Sequence, residues 1–278
     1  MKIAITAEST IDLPQNLLEK YNIKSLPFTV ILGDNEYKDG EITSGDIFKF
    51  VEENKILPKT SAINEMQYTE FFEETLKDYD AVVHFCLSSE ISSACRNAKL
   101  AASNLKNVYV VDTKSLSTGI ALLAIYGREL AENGKTAEEI YSLCENRTKD
   151  VQASFVVKKL DYLHKGGRCS SVALLGANLL SIRPEIVLSN GKMISAKKYM
   201  GKMEKVIEKY CKDVLNDNPN PDKKYAFVTY TTATDVMANI AKTALQTAGF
   251  ETIYETTAGA TITSHCGENT LGILFLNR

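Results

Sequence analysis

The sequence lacks the features that would place the chain in a membrane or outside the cell. No apolar run in its 278 residues approaches the roughly 20 residues that span a bilayer. The amino-terminal segment MKIAITAEST has one lysine and only a short apolar stretch. That stretch is too short for the core of a signal peptide and is more typical of a first β-strand. We therefore expect a cytoplasmic protein.

A large net charge is also missing. The formal net charge is −3, so the overall charge does not favour nucleic acid, and we expect no nucleic-acid partner. Hydrophobic residues make up 44% and charged residues 24% of the chain, which is ordinary for a globular protein with a sizeable core. A length of 278 residues favours two domains of ordinary size over one large domain.

The cysteines form neither a disulfide framework nor a zinc site. They are widely separated and include no CxxC pair, whereas both kinds of site need characteristic spacings. We expect reduced thiols with structural roles and no bound metal. The six cysteines are Cys86, Cys95, Cys144, Cys169, Cys211 and Cys266.

The common catalytic and nucleotide-binding motifs are absent as well. The chain contains no GxxxxGK[ST] phosphate loop, no GxGxxG dinucleotide motif, no GxSxG elbow and no HExxH zinc motif. No enzyme class is therefore marked by a motif. One enzymatic alternative stays open: a stand-alone phosphotransferase or hydrolase that uses His265 with Ser92 or Ser264.

Short β-branched runs alternate with helical patterns in the first half of the chain, which indicates a parallel α/β sheet. The pattern changes near residue 151, where the clearest feature is a β-hairpin at 185–198 around Asn190-Gly191. We place a domain boundary there, giving domains 1–150 and 151–278.

The predicted strands are 2–6, 25–32, 81–87, 108–113, 154–163 (strand or strand-to-turn) and 225–230, with a strand, a polar loop and a strand at the end of the chain. The predicted helices are 14–21, 44–53, 64–76 (capped by Asn64), 92–104, 118–133, a small-residue helix at 172–180, 203–215 and 233–248.

Four segments rich in hydroxyl groups or glycine are candidate ligand sites. Three of them directly follow predicted strands, and ligands of open α/β sheets collect beyond the carboxyl ends of the strands. Hydroxyl and backbone N–H groups suit the oxygens of a carboxylate or a phosphate. The four segments are Ser9-Thr10 with Asp12, Lys59 to Ala62, Ser88 to Ser93, and Thr261 to Gly267.

Each candidate also has a purely structural interpretation. Ser9 and Ser92, taken singly, are typical helix caps. His84 lies inside a predicted strand and is expected in the core, while His164 is expected in solvent. His265 lies in a segment without an apolar pattern, so both interpretations remain open for it.

The segment Lys165-Gly166-Gly167-Arg168 is a further candidate. Two glycines allow close approach of the backbone, and the arginine offers a planar set of donors for a carboxylate or a phosphate. A Gly-Gly pair is also common in surface turns, where a neighbouring arginine is usually exposed to solvent.

Taken together, these segments resemble the DegV family. They occur in the family's order over nearly the whole chain, and the L-x-Y-L-x-K-G-G-R motif followed by a small-residue helix and I-R-P is the most specific part. The segments are AESTIDLP (7–14), PKTSA (58–62), LSSEISSACRNA (87–98), VVDTKSLSTG (110–119), LDYLHKGGRCSSVALLGANLLSIRPEIVLSNGK (160–192) and TSHCGENTLGILF (263–275).

The resemblance implies two α/β domains, an amino-terminal one with a parallel sheet and a carboxy-terminal one with a mostly antiparallel sheet. It implies a non-enzymatic protein that holds one long-chain fatty acid, with the tail in residues 151–278. The protein would present the carboxylate to a separate fatty acid kinase that makes the acyl phosphate. A transient membrane contact is compatible with this role. No cofactor is expected beyond the bound fatty acid.

The resemblance also implies the residues of the site. The family's carboxylate-binding residues fall on Thr60, Ser92 and His265. Secondary head-group candidates are Ser61, Ser93, Gly166, Gly167 and Arg168. The chain departs from the family at Glu8-Ser9, at Ser93-Ala94-Cys95, after His265 and at Met200, which weakens the case for the kinase more than the case for lipid binding. Acyl length, oligomeric state and a carrier or sensor role stay open.

Overall fold

Three β-sheets organise the part of the chain that the computed structural model describes, residues 1–168 and 182–278. The strands are β1 (Ile3–Glu8), β2 (Ile23–Leu26), β3 (Thr29–Leu32), β4 (Asn35–Lys38), β5 (Lys59–Ser61), β6 (Ala81–Cys86), β7 (Val108–Asp112), β8 (Val151–Val156), β9 (Ile182–Ser189), β10 (Lys192–Met200), β11 (Pro221–Tyr230), β12 (Thr252–Thr257) and β13 (Leu271–Asn277). The helices are α1 (Gln15–Lys20), α2 (Ser44–Asn54), α3 (Glu65–Leu76), α4 (Ala94–Ser103), α5 (Thr118–Glu132), α6 (Ala137–Arg147), α7 (Asp161–Lys165), α8 (Met203–Asp217), α9 (Asp235–Thr247) and α10 (Ala260–Cys266).

The first sheet is parallel throughout and has the strand order β2-β1-β6-β7. Every residue of β1 and β6 is buried, as expected for parallel strands covered on both faces. Helices α3 and α4 pack together on this sheet, and so do α5 and α6. Asn64 caps α3 through a capping box with Gln67, which confirms the predicted cap.

The second sheet has the strand order β10-β9-β8-β13-β11-β12 and is antiparallel except for the pair β11–β12. Helix α5 contacts strands of both the first and the second sheet. Its residues from Thr118 to Ile125 are all buried, because a helix packed on both sides needs apolar residues around its circumference. Parallel and mostly antiparallel sheets in an α/β chain confirm the expected fold class, while the boundary near residue 150 stays a prediction.

The third sheet is small and antiparallel, with the order β4-β3-β5. It corrects the prediction of one strand over 25–32, because β2 ends at Leu26 and pairs in the first sheet while β3 begins at Thr29 and pairs in the third. Pro27 lies at the break and has no backbone N–H to donate to a strand ladder. Strand β5 (Lys59–Ser61), part of a candidate ligand segment, pairs only with β3 and is an edge strand of this sheet.

Other predictions of local structure were wrong. The segment predicted over 154–163, as a strand or a strand leading into a turn, is strand only as far as Val156, and the short helix α7 at Asp161–Lys165 was not predicted. The polar loop predicted at Thr261 to Gly267 is mostly helix, since α10 spans Ala260–Cys266. Helix α6 was not predicted, although Thr136 caps it. The helix predicted at 172–180 lies outside the described residues.

In the two described ranges, no helix combines the length and the apolar character required to cross a bilayer. The five cysteines of these ranges are buried and free, and Cys169 lies outside them.

The predicted hairpin is confirmed, with Asn190 at φ 49° and Gly191 at φ +82° between β9 and β10. The tip of the hairpin contacts the loop after β6, where the Ser88 hydroxyl donates a hydrogen bond to the Gly191 carbonyl at 2.9 Å. A Cβ atom on Gly191 would lie 2.4 Å from the Ser88 Oγ. Glycine is required at this position for both φ and space.

We expect Gly191→Ala to cost more stability than Gly134→Ala. Gly134 also has a positive φ, +79°, but a Cβ atom there would have no neighbour within 4 Å, so its variant measures backbone strain alone, about 1 kcal/mol. Gly191→Ala adds the collision with Ser88, about 1 to 3 kcal/mol more. Chemical denaturation of both variants tests this, and equal losses would contradict the close packing of the hairpin tip.

Candidate functional site

Three segments that are distant in sequence meet at one cavity. Strand β5 provides Thr60, the loop before α4 provides Ser92, and α10 provides His265. The Thr60 Oγ1 lies 2.8 Å from the His265 Nε2. This central cavity has a volume of about 260 Å³. It is lined by Phe28, Thr60, Ser61, Ala62, Leu87, Ile91, Ser92, Ser93, Leu116, Arg168, Met193, Thr261, Ile262, His265 and Cys266.

The resemblance to the DegV family assigns eight residues to the site, three for the carboxylate and five secondary candidates. Six of the eight line the central cavity, and the other two are Gly166 and Gly167. Gly166 packs against the His265 ring, and Gly167 lines a neighbouring cavity. The six lining residues are Thr60, Ser61, Ser92, Ser93, Arg168 and His265.

The two glycines are needed for different reasons. A Cβ atom on Gly166 would lie 2.7 Å from the Tyr162 carbonyl oxygen and 2.8 Å from the His265 Nδ1, so only glycine allows this approach of α7 to α10. Gly167 has a φ of +69°, which favours glycine. The Arg168 Nη1 then donates a hydrogen bond to the Gly166 carbonyl at 2.6 Å. The motif thus packs against the histidine and places the arginine at the cavity.

His265 is held in its neutral form. Burial, and secondly the positive charge of Arg168, lower its pKa from 6.5 to about 4. Its Nδ1 is buried and has no hydrogen-bond partner among residues 1–168 and 182–278. Its Nε2 faces the Thr60 hydroxyl, and the direction of that hydrogen bond depends on the tautomer. A neutral imidazole beside hydroxyl groups provides polarity without a fixed charge.

Helix α10 is fixed in place by two buried aspartates. The Gly259 N–H donates to the Asp12 Oδ1 and the Ala260 N–H donates to the Asp39 Oδ1, both at 2.8 Å. Burial raises the pKa of Asp12 to about 8. Ser9 donates to Asp39 at 2.9 Å, so the first hydroxyl segment supports α10 and does not line the cavity. Asp39 had no signal in the sequence, because its partner lies 221 residues away.

Two further cavities adjoin the central one. An outer cavity of about 460 Å³ shares Ile91, Ser92, Ser93 and Arg168 with it and is also lined by Arg96. An inner, mostly apolar cavity of about 30 Å³ shares three other residues with it. The polarity of the lining therefore falls from the outer cavity to the inner one. The three residues shared with the inner cavity are Leu116, Ile262 and Cys266.

The hairpin β9–β10 closes one side of the central cavity. Met193 follows its tip and lines the cavity. Lys192 lies 3.5 Å and Lys114 4.0 Å from Glu90, so the acidic group of the outer cavity is paired with two lysines. Met193 was missed in the sequence, because its position depends on how the hairpin tip meets Ser88.

A buried polar cluster lies on the face of the first sheet that α3 covers. Potential metal-ligating atoms of Glu8, His84 and Cys86 lie within 4.8 Å of one another. Both Glu8 carboxylate oxygens already accept hydrogen bonds, from the Tyr68 hydroxyl at 2.5 Å and from the Leu87 N–H at 2.6 Å. Burial raises the pKa of Glu8 to about 7 and lowers that of His84 to about 3. We interpret the cluster as a polar core network, and His84 is buried as predicted.

Comparison with known proteins agrees with this architecture. The sequence profile of the DegV family, described as uncharacterised proteins, matches residues 2–278. A protein of Thermotoga maritima named a fatty acid-binding protein is 34% identical over 284 residues, which cover 98% of this chain and 96% of that protein.

Two solved structures are similar over essentially their whole length. One, of a DegV family protein from Thermus thermophilus whose description reports fatty acid binding, has a TM-score of 0.92 at 28% identity and covers 100% of both chains. The other, of a DegV lipid-binding protein from Thermotoga maritima, has a TM-score of 0.87 at 32% identity and covers 100% of this chain and 99% of that one. With the family profile matching residues 2–278 and the fold shared along both chains, this protein belongs to the DegV family.

Proposed function

We propose that this protein binds one long-chain fatty acid, with the carboxylate at Thr60, Ser92 and His265 and the hydrocarbon tail directed into residues 151–278. The observation that carries the proposal is the continuous change from a hydroxyl-lined central cavity to an apolar inner one. Relatives named for fatty acid or lipid binding support it.

The carboxylate end needs donors, because an unpaired buried charge is far more costly than one hydrogen bond returns. The Ser92 Oγ accepts a hydrogen bond from the Ala94 N–H at 3.2 Å, and among residues 1–168 and 182–278 no group accepts its own proton, which can donate to a ligand. The Thr60 hydroxyl is likewise free to donate when the His265 Nε2 carries the proton. Neutral donors at these residues leave the carboxylate nucleophilic, and Arg168, which lines both the central and the outer cavity, is the charged group of the site.

The tail end supplies most of the driving force. About fourteen methylene groups at about 0.8 kcal/mol each give roughly 11 kcal/mol before the costs of ordering the ligand. The inner cavity of about 30 Å³ is far smaller than such a tail. The proposal therefore includes a rearrangement of its lining side chains when the tail enters.

We further propose that the bound carboxylate is presented to a separate fatty acid kinase, which makes the acyl phosphate. The outer cavity of about 460 Å³ lies beside Ser92 and carries Arg96 and Arg168, and guanidinium groups suit the oxygens of a phosphoryl group. The sequence itself contains no phosphate-loop motif, so the nucleotide would come with the partner.

The stand-alone enzyme is the weaker candidate. A histidine with a pKa of about 4 is a poor general base near neutral pH. The Ser264 hydroxyl donates to the Ala260 carbonyl within α10 at 2.7 Å, so it is not arranged as a nucleophile beside His265. The low pKa of His265 and the hydrogen bond of Ser264 favour a binding role for the site.

Replacing the two hydroxyl donors tests the carboxylate site. We expect the double variant Thr60→Val/Ser92→Ala to lose a few kcal/mol of affinity, so that organic extraction and mass spectrometry recover much less fatty acid from it than from the wild-type protein. Thr69→Val/Ser103→Ala is the matched control, since both of its hydroxyl groups lie at exposed positions and bond to carbonyls of their own helices. Equal fatty acid in the two double variants would place the head group elsewhere.

Incubation with ATP and palmitic acid separates the carrier from the enzyme. We expect no acyl phosphate, trapped as its hydroxamate, from this protein alone and turnover when a fatty acid kinase is added. Turnover by the protein alone, abolished in His265→Gln, would contradict the carrier role and favour the enzymatic alternative.

The low pKa of His265 predicts a pH-dependent stability difference from His265→Gln in the ligand-free protein. Between pH 6.5 and 4 the unfolded chain binds a proton on His265 that the folded protein excludes, so acidification destabilises the wild type relative to the variant, by up to about 3 kcal/mol. His84 also titrates below its usual range, but it is present in both proteins and cancels in the difference. Urea denaturation at several pH values measures this difference, and a constant value would contradict a buried, neutral His265.

A further inference from the structure

Two buried residues have a backbone conformation that amino acids with side chains rarely adopt. Within residues 1–168 and 182–278, eight non-glycine residues have a positive φ, and of these only Asp12 and Ser117 are buried. Asp12 has φ 54°, and Ser117 has φ 52° with ψ −140°. Such a conformation is strained, and it persists where the surrounding structure imposes it, often at functional sites. The two residues are therefore candidates for a role in the ligand site.

Asp12 and Ser117 are hydrogen-bonded to each other although they lie 105 residues apart. The Ser117 hydroxyl donates to the Asp12 Oδ2 at 2.5 Å, while the Asp12 Oδ1 accepts from the Gly259 N–H at 2.8 Å. One carboxyl group thus joins the loop before α5 to the start of α10. Burial raises the pKa of Asp12, and the Ser117 hydrogen bond opposes this rise. It therefore favours the ionised form, which is the stronger acceptor for the Gly259 N–H.

Ser117 lies beside the path proposed for the ligand. It lines the inner cavity together with Ala258, and its neighbour Leu116 lines both the inner and the central cavity. A serine hydroxyl has one proton, and the proton of Ser117 is donated to Asp12. Ser117 is therefore not a donor for the ligand carboxylate, and its effect on His265 must pass through Asp12 and α10.

We propose that Ser117 is a positioning residue of the ligand site, which acts through Asp12 to keep His265 of α10 in place. The inference rests on the proposed function, because it takes the ligand site from it. Loss of the Ser117 hydroxyl should shift α10 without unfolding it, since Asp39 still accepts from the second N–H of the helix start. A glycine would relieve the strain but could not orient Asp12, which explains why a serine occupies this position.

Two variants separate the hydroxyl group from the strain. Ser117→Gly and Ser117→Ala both remove the hydroxyl, but only glycine adopts φ 52° freely. We therefore expect Ser117→Ala to have the lower Tm, whereas delipidated samples of both variants should bind palmitic acid about fivefold more weakly than the wild type. A lower Tm for Ser117→Gly would overturn the premise of strain. Wild-type affinity in either variant would overturn the proposal.

Nitrogen NMR of His265 in the ligand-free protein measures the positioning itself. In the wild type the pKa of the buried ring should be about 4, and the ring should give the signals of one tautomer. In Ser117→Gly we expect the pKa of His265 to rise toward its ordinary value of about 6.5, with signals of both tautomers, because the ring is no longer held against Thr60. His265→Gln identifies the signals, and an unchanged His265 spectrum in Ser117→Gly would contradict the proposal.

Thr75→Val is the matched control. It also removes one buried hydroxyl group, which donates to the Phe71 carbonyl within α3 at 2.8 Å. This variant should lower the Tm and leave both the affinity for palmitic acid and the His265 spectrum unchanged. An equal loss of affinity in Thr75→Val would mean that general destabilisation weakens binding, and the positioning role of Ser117 would be refuted.

Failure of this inference and failure of the proposed function give different results. If the wild type binds palmitic acid and both Ser117 variants bind it equally well, the inference is wrong and the proposed function stands. If the wild type does not bind palmitic acid, the proposed function fails. The His265 spectra of the ligand-free proteins then still decide whether Ser117 positions α10.

Discussion

The arrangement of the site depends on two aspartates that hold the start of α10. Asp12 and Asp39 accept hydrogen bonds from the Gly259 and Ala260 N–H groups at 2.8 Å. Buried N–H groups at the start of a helix need such partners. Gly259 leaves the necessary space, since a Cβ atom there would lie 3.0 Å from the Asp39 Oδ1 and 3.2 Å from the Asp12 Oδ1. These bonds join the end of the chain to its beginning and bring His265 to Thr60.

The resulting site combines neutral polar groups with one guanidinium group. The Thr60 and Ser92 hydroxyl groups and a neutral His265 line the central cavity, Arg168 lines both the central and the outer cavity, and Arg96 lines the outer cavity. This arrangement of the two cavities suits a carboxylate that is bound in the central cavity and approached by a phosphoryl donor from the outer one. The apolar inner cavity extends the same path toward the second sheet. Such a gradient in polarity suits a ligand with a polar head and an apolar tail.

Much of the site could be predicted from ordered sequence motifs. The resemblance to the DegV family pointed to Thr60, Ser92 and His265, and the structure places all three around one cavity. The hairpin was predictable because Asn190-Gly191 is a local turn signal that needs no distant partner.

What could not be predicted depends on long-range contacts. The sequence pattern favoured a loop at α10 because its residues, between Gly259 and Gly267, have weak helix propensity, and its stability comes from Asp12 and Asp39. That error also hid the fact that Thr261 and His265 share one helix face. The break at Pro27 was missed because both of its flanks have strand-like composition, and the pairing of β2 and β3 with different sheets decides the outcome.

A crystal structure of the protein with bound palmitic acid is the most direct measurement of the central claim. The account predicts density for one acyl chain, with the carboxylate oxygens about 3 Å from the Thr60 and Ser92 hydroxyl oxygens and the tail running past Leu116 and Ile262 toward the second sheet. A carboxylate bound away from Thr60, Ser92 and His265, or a tail directed into the solvent, would contradict it.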